Sequence, residues 1–537
     1  MLQRLGSRRL AGLATAGLLF VLALGACGGG GVSGPRPFAV LPPSDGGGGG
    51  GGTPLPLPPP TPAVPPTFVE NAIQLARAPL FGAFPSDLVR LGTTLFTVDA
   101  DQIEAAGAWI LPYDIGGAAP EPSSSLVPVQ IRPDHLLDAL GRPADPLLPI
   151  GFGFYLNEIE VVTTRMGFAL ASAGGSDSAP PLSNLLVFDP STGQVLQTVN
   201  LCRGYASAAT LLDSSGASVA GNAFLQSGAE ALAFVPTSPS TGRLYVAMSN
   251  LIVGYPSFGA TKYPGTIQVY DVDRNRGTPV AAVADPTGLS TLTLRTGRYN
   301  PVSLDVIATQ GGLTGPRLLA TLGGATGYDA SFHLVPTTPA AVEVYDGLSS
   351  VYLGSFELGL TGLVNRPAIG RDGAGHLVGF FPSGVTGQVY ALQLDGLLTP
   401  VVAPSQLRVL RGPDNGIVID PASGTPGGNI VGVGLAPDGD VLVVSGFGDF
   451  FAGRPGRLFL LSLPHDLVAD ASIGTGFVPG VSEFATVPGR AMGGLVLLPG
   501  PGDRPDVYVN LSGPLNVDGT AAGPASVASL ATHGLID

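Results

Sequence analysis

Gly242-Arg243-Leu244-Tyr245-Val246-Ala247-Met248 and, further on, Thr266-Ile267-Gln268-Val269-Tyr270-Asp271 are the two segments from which the fold is read. Each is rich in β-branched and aromatic residues, and the polar run Ser240-Thr241-Gly242 supplies a turn before the first. The pair recurs along the chain. First members are Leu95 to Val98, Gly167 to Ser172, Arg243 to Met248, Arg317 to Leu322, His376 to Phe381, Asp440 to Ser445 and Asp506 to Leu511. Second members are Ala108 to Asp114, Asn184 to Asp189, Thr266 to Asp271, Ala341 to Asp346, Gln388 to Asp395, Arg457 to Leu463 and, less regularly, Ala525 to Thr532.

A further apolar element precedes each turn, as in Glu230 to Val235 and Val431 to Ala436, and another follows some second members, as in Gln194 to Asn200 and Ser350 to Leu358. Up to four strands per unit, repeated radially, is the composition of a propeller blade, whose packing around an axis protects sheet edges. The expectation is an all-β chain forming a single β-propeller of seven four-stranded blades, although the period alone leaves six or eight open. Closure of such a ring often takes a strand from the opposite terminus, and Phe68 to Arg77 is the candidate.

Composition agrees with short strands and tight turns. Only 12% of residues are charged, with 80 glycines and 52 prolines. The formal charge of −14 and a single lysine, Lys262, argue against a nucleic-acid surface, which needs a basic face. No Gly-x-Ser-x-Gly elbow, HExxH spacing or completed phosphate-binding loop is present, and His135, His333, His376, His465 and His533 are dispersed. Asp271-Val272-Asp273-Arg274-Asn275 reads as a turn, because its glycine falls one position late for a calcium loop.

The N-terminus has its own pattern. Arg4, Arg8 and Arg9 precede an apolar run, Leu10 to Ala26, that ends in Leu24-Gly25-Ala26-Cys27. At 17 residues the run is short for a membrane-spanning helix and has the layout of a signal peptide. It resembles the lipobox of bacterial lipoproteins, which implies lipid attachment at Cys27 after cleavage, with Gly28 permitting transfer to the outer membrane. Residues 27–66, with Gly46 to Gly52 and the proline-rich Pro54 to Pro66, read as a disordered tether. The organisation expected is a lipoprotein signal peptide at 1–26, a lipidated tether at 27–66 and the propeller at 67–537. Cys202 is the only cysteine besides Cys27, so the mature chain has no intramolecular disulfide.

The repeats resemble those of bacterial YVTN-repeat surface propellers. That resemblance implies a rigid, monomeric disc whose rim loops bind a protein or glycan partner, with a central channel lined where each innermost strand opens. Those positions here are Asp87, Glu158, Glu230, Asn300, Asn365, Asn429 and Arg490. Glu230, Asn300, Asn365 and Asn429 together offer the oxygen donors that Ca²⁺ favours, as in calcium-dependent lactonase propellers, although the Glu-Gly-Pro signature of those enzymes is absent. The principal reading is a membrane-tethered binding or scaffold module with no cofactor. The alternatives are a metal-dependent or quinone-dependent enzyme acting at the channel mouth and an outer-membrane assembly scaffold.

Overall fold

The computed structural model describes residues 67–72, 84–100, 108–115, 117, 119–137, 141, 143, 155–173, 182–201, 223–226, 229–249, 251–254, 260–262, 265–274, 290–298, 301–308, 315–328, 334–361, 366–383, 387–403, 407–419, 430–446, 456–473, 476–487, 492–498, 506–513, 525–531 and 536. The expected signal peptide at 1–26, Cys27 and the glycine- and proline-rich stretch lie outside these residues.

The chain forms a seven-bladed propeller. Its first strand is β1 (Thr67–Ala72). Blade 1 comprises β2 (Phe84–Leu91), β3 (Thr94–Ala100), β4 (Ala108–Asp114) and β5 (Glu121–Pro122), with β6 (Val129–Ile131) also pairing β4. Blade 2 is β7 (Tyr155–Thr163), β8 (Met166–Ala173), β9 (Leu182–Asp189) and β10 (Gln194–Asn200). β11 (Ala223–Gln226) precedes blade 3, whose first two strands are β12 (Ala229–Pro236) and β13 (Thr241–Met248). Next come β14 (Leu251–Gly254) and β15 (Ala260–Lys262), and then β16 (Thr266–Asp273) and β17 (Ser290–Thr293), which complete blade 3. β11, β14 and β15 form a separate three-stranded sheet.

Blade 4 is β18 (Pro301–Ile307), β19 (Arg317–Leu322), the long β21 (Leu334–Asp346) and β22 (Tyr352–Thr361), with β20 (Ala325–Tyr328) pairing the start of β21. Blade 5 is β23 (Ala368–Arg371), β24 (Leu377–Ser383), β25 (Gln388–Gln393) and β26 (Arg408–Arg411), with β27 (Ile417–Val418) also on β25. Blade 6 is β28 (Ile430–Leu435), β29 (Val441–Gly446), β30 (Gly456–Ser462) and β31 (Val481–Val487); the short helix α1 (Leu467–Ala471) lies between its last two strands. Blade 7 takes β32 (Met492–Leu497), β33 (Val507–Leu511) and β34 (Ser526–Ala531) from the C-terminal end, and β1 is its outermost strand. The paired repeats of the sequence are the second and third strands of the seven blades. The borrowed strand occupies Thr67–Ala72, residues 73–77 lying outside the described residues.

Because every blade is covered on both faces by its neighbours, its middle strands are apolar without alternation. All the residues of β19, β24 and β33 are buried. The buried apolar side chains fall into seven clusters, one per blade interface. Phe96, Ile110, Leu156 and Phe188 lie between blades 1 and 2, and Phe381, Leu392 and Val342 between blades 4 and 5. Among the described residues the interface that closes the ring has the smallest buried apolar cluster: blade 7 meets blade 1 through Leu88, Leu95, Tyr113, Leu498, Tyr508 and Val527. Polar bonds supplement it. The Asn510 side chain donates to the Asp87 carbonyl at 2.7 Å, and its Oδ1 accepts from the Thr97 hydroxyl at 2.9 Å.

At the strand ends, the recurrent aspartates close turns as the sequence suggests. Asp346 Oδ1 accepts from the Leu348 and Ser349 amides at 3.1 and 2.7 Å, and Asp189 Oδ1 from the Ser191 amide at 2.8 Å. Asp271 differs, because its strand runs on to Asp273 and its exposed carboxylate pairs with Arg243 at 3.5 Å. Arg243 and Arg317 occupy matching places near the start of a second strand, and each reaches carbonyls in the next blade's outer turn, Leu348 from Arg243 and Leu397 and Thr399 from Arg317.

A chain lacking residues 67–72 leaves the β34 edge unpaired. Roughly 0.5 kcal/mol for each of about six ladder bonds gives a loss on the order of 3 kcal/mol. Urea unfolding should register that loss, and size-exclusion chromatography should show association through the bared edge.

Candidate functional site

The innermost strands β2, β7, β12, β18, β23, β28 and β32 surround the channel. Six of the seven shift register against their second strand, at Pro85/Leu88, Leu156/Ile159, Ala229/Ala231, Pro301/Ser303, Ile430/Gly432 and Met492/Leu495. Such bulges take backbone groups out of the ladder and re-aim the side chains they carry. Asp87, Glu158 and Glu230 all sit on these bulges.

Two of them brace adjacent blades. Asp87 Oδ2 accepts from the Ile159 amide of blade 2 at 2.9 Å, while its Oδ1 accepts from the Leu88 amide at 2.8 Å. One blade further round, Glu158 Oε2 accepts from the Leu232 amide of blade 3 at 3.1 Å. Each carboxylate satisfies an amide of the next innermost strand, so the same device is used twice.

Across the channel stands Arg366, two residues before β23. Its Nη1 lies 3.0 Å from Glu158 Oε1 and its Nε 3.9 Å from Asp305 Oδ1. The Arg366 side chain keeps 47% of its accessibility, whereas those of Glu158 and Asp305 keep 9% and 17%. One half-exposed side chain therefore offers its cation to acids that are more deeply buried and links blades 2, 4 and 5. The Ser303 hydroxyl donates to Asp305 Oδ2 at 2.8 Å.

Burial pushes the carboxyls of Asp87 and Asp305 up and that of Glu158 well above its ordinary range, with Arg366 opposing in each case. Glu160 is pushed up to about 7, again by burial, with the charge on Arg366 working against the rise and that on Asp87 adding to it. Glu158 foremost, then Asp305, Asp87 and Glu160, hold Arg366 firmly protonated against its own desolvation. Among the described residues the group thus has four acids for one base, with Glu160 poised to exchange a proton near neutrality.

Of the seven sequence-predicted mouth residues, the structure brings Asp87 and Glu158 together. Glu230 is buried, and its Oε1 accepts from the Ser249 hydroxyl at 2.6 Å. Asn300, Asn365, Asn429 and Arg490 lie outside the described residues, so of the calcium donor set only Glu230 is described. Among the described residues, no three His, Cys, Asp or Glu side chains are grouped to hold a metal ion.

Sequence reasoning missed Glu160, Asp305 and Arg366. Asp305 is the one acid in the otherwise uncharged strand Pro-Val-Ser-Leu-Asp-Val-Ile, and a charge within an innermost strand was the available signal. Arg366 immediately follows the expected Asn365.

No protein-family model matches the chain, and no curated protein matches it. Among solved structures it is similar to a puromycin-hydrolyzing peptidase of Mycobacterium tuberculosis, with 14% identity and a TM-score of 0.36. That likeness covers 82% of this chain and 53% of the peptidase, so the chain spans about half of that protein's length. A likeness of this degree carries no argument about activity.

Two substitutions test the electrostatics. Arg366→Met leaves the buried acids without their cation and should destabilise the fold at pH 8, by about 1–2 kcal/mol because the half-exposed arginine is partly screened by solvent, and by less at pH 5, where the acids take up protons; urea titrations at both pH values measure this. Glu160 behaves oppositely. Its carboxyl rises from 4.5 to about 7 on folding, so its stabilising effect is complete below pH 4.5 and is lost as the pH climbs through 7. Glu160→Gln should therefore exceed the parent stability by on the order of 1–2 kcal/mol at pH 8. The two proteins should converge near pH 4.5.

Proposed function

We propose that this chain is a lipid-anchored cell-envelope propeller, of the YVTN-like kind, that binds a protein or glycan partner through the loops at the channel-mouth end. The observation that carries this reading is how the mouth carboxylates are engaged. Asp87 and Glu158 hold neighbouring blades together through backbone amides, and Glu158 and Asp305 hold Arg366. A group engaged in this way makes a rigid base for the surrounding loops.

The connections support the same end. Residues 132–154 and 201–228, which join blade 1 to blade 2 and blade 2 to blade 3, both leave the mouth end. So does the sheet of β11, β14 and β15, inserted where Met248, Thr266 and Ala229 stand side by side. At the opposite end the links from innermost to second strands include two-residue turns, Gly92-Thr93 and Thr164-Arg165, while residues 274–289, 394–407 and 463–480 join third to fourth strands there. Long connections on a rigid scaffold are where binding specificity resides.

The anchor is tested by intact mass and membrane fractionation. Cys27→Ser should remove the lipid mass and release the protein from membranes. For the binding role, a photo-crosslinking residue is placed at Arg295, on the mouth end, or at Arg165, on the opposite end. A discrete adduct from position 295 and none from 165 is expected. Stoichiometric calcium in the purified protein, lost in Glu230→Ala together with thermal stability, would instead favour an enzyme.

A further inference from the structure

We infer that the tether leaves the propeller from the end opposite the channel mouth, so that the membrane lies behind the disc and the mouth end faces away from it. The anchor itself rests on the function proposed above; the polarity rests on strand direction.

In blade 7 the register runs Met492↔Leu511, Leu511↔Ser526 and Ser526↔Ala72, so the start of the innermost strand and the end of β1 share one end of the blade. At the other end Leu497 pairs with Val507, Val507 with Leu530, and Ala531 with Thr67. All innermost strands begin at the mouth end, where Arg366 precedes β23. β1 therefore enters at the turn end with Thr67 and finishes at the mouth end with Ala72.

The chain that precedes Thr67 starts from the turn end. Of the roughly forty residues before Thr67, the proline-rich Pro54 to Pro66 next to the propeller is stiff and reaches about 40 Å when extended, and the remainder, rich in glycine, adds a coil with a root-mean-square span of roughly 28 Å. An eight-residue strand is about 25 Å long, so turning the mouth toward the membrane forces the tether back along most of a blade and removes conformations from it. The turn end is thereby held nearer the bilayer, and the sheet of β11, β14 and β15 is presented to a macromolecule arriving from the side away from the lipid.

The test uses the full lipidated chain in phosphatidylcholine vesicles containing a headgroup nitroxide. Single fluorophores are placed by Arg165→Cys at the turn end or Arg295→Cys at the mouth end, in a Cys202→Ser background. A second pair in blade 3, Thr237→Cys and Thr293→Cys, repeats the comparison should either first variant fold poorly. Quenching at least twofold greater at the turn-end position of each pair is expected. Equal quenching, or more at the mouth end, overturns the orientation. Intact mass on the same preparation separates the two readings, because a Cys27 without lipid overturns the anchor and this proposal with it, whereas unbiased quenching with lipid present overturns the orientation alone.

Discussion

Every blade in this ring has two apolar faces, and neither can be left in water. A sheet that buries only one face can alternate apolar and polar residues, but β19, β24 and β33 bury both and contain almost nothing else to expose. Each blade is therefore stable only between two neighbours, and the seven interface clusters are parts of one closed arrangement. An open row of blades leaves two apolar faces bare at its ends; a ring leaves none. The other features of the molecule, including the strand contributed from the distant N-terminal side, follow from having to close that ring.

The channel is the place where this requirement conflicts with the chemistry of the backbone. Innermost strands lack a partner on the axial side, and their bulges release amides that need acceptors. Asp87 and Glu158 supply these from the preceding blade, which places carboxylates in a confined wall. Their charge is then balanced by a cation from the opposite side, Arg366, whose side chain is half-exposed. The result couples ring geometry to protonation, since the same acids that join blades compete for one guanidinium. An elevated Glu160 lowers the net negative charge that the wall carries at neutral pH.

Much of the fold was legible because its signals are local. The fourteen second and third strands announce themselves through runs such as Arg243 to Met248, bounded by turn residues, and aspartates such as Asp346 mark strand ends because their carboxylates cap the following amides. Asp271 misled because a terminal aspartate and an aspartate on an exposed strand position look alike in sequence. The site was legible only in part. Asp87 and Glu158 lie near the openings of their strands, where the repeat points, but Asp305 is deeper in its strand and Arg366 reaches across from blade 5. Which charge meets which across an axis depends on blade number and register together, and neither is encoded near the residues concerned.

Pairing of β1 with β34 joins residues 67–72 to residues 526–531, nearly the whole length of the folded chain. Joining two such distant points of a free chain costs on the order of 5 kcal/mol in loop entropy, and contacts this far apart in sequence slow folding. Stacking of blades 1 to 6 lowers that barrier by bringing the two ends within reach before they pair. The closing step is then a late event in folding, available only once the last strand of blade 7 has been synthesised. Until that moment β34 has an open edge and blade 7 has an uncovered face, which makes the nearly complete ring, rather than the unfolded chain, the species most exposed to self-association during biogenesis.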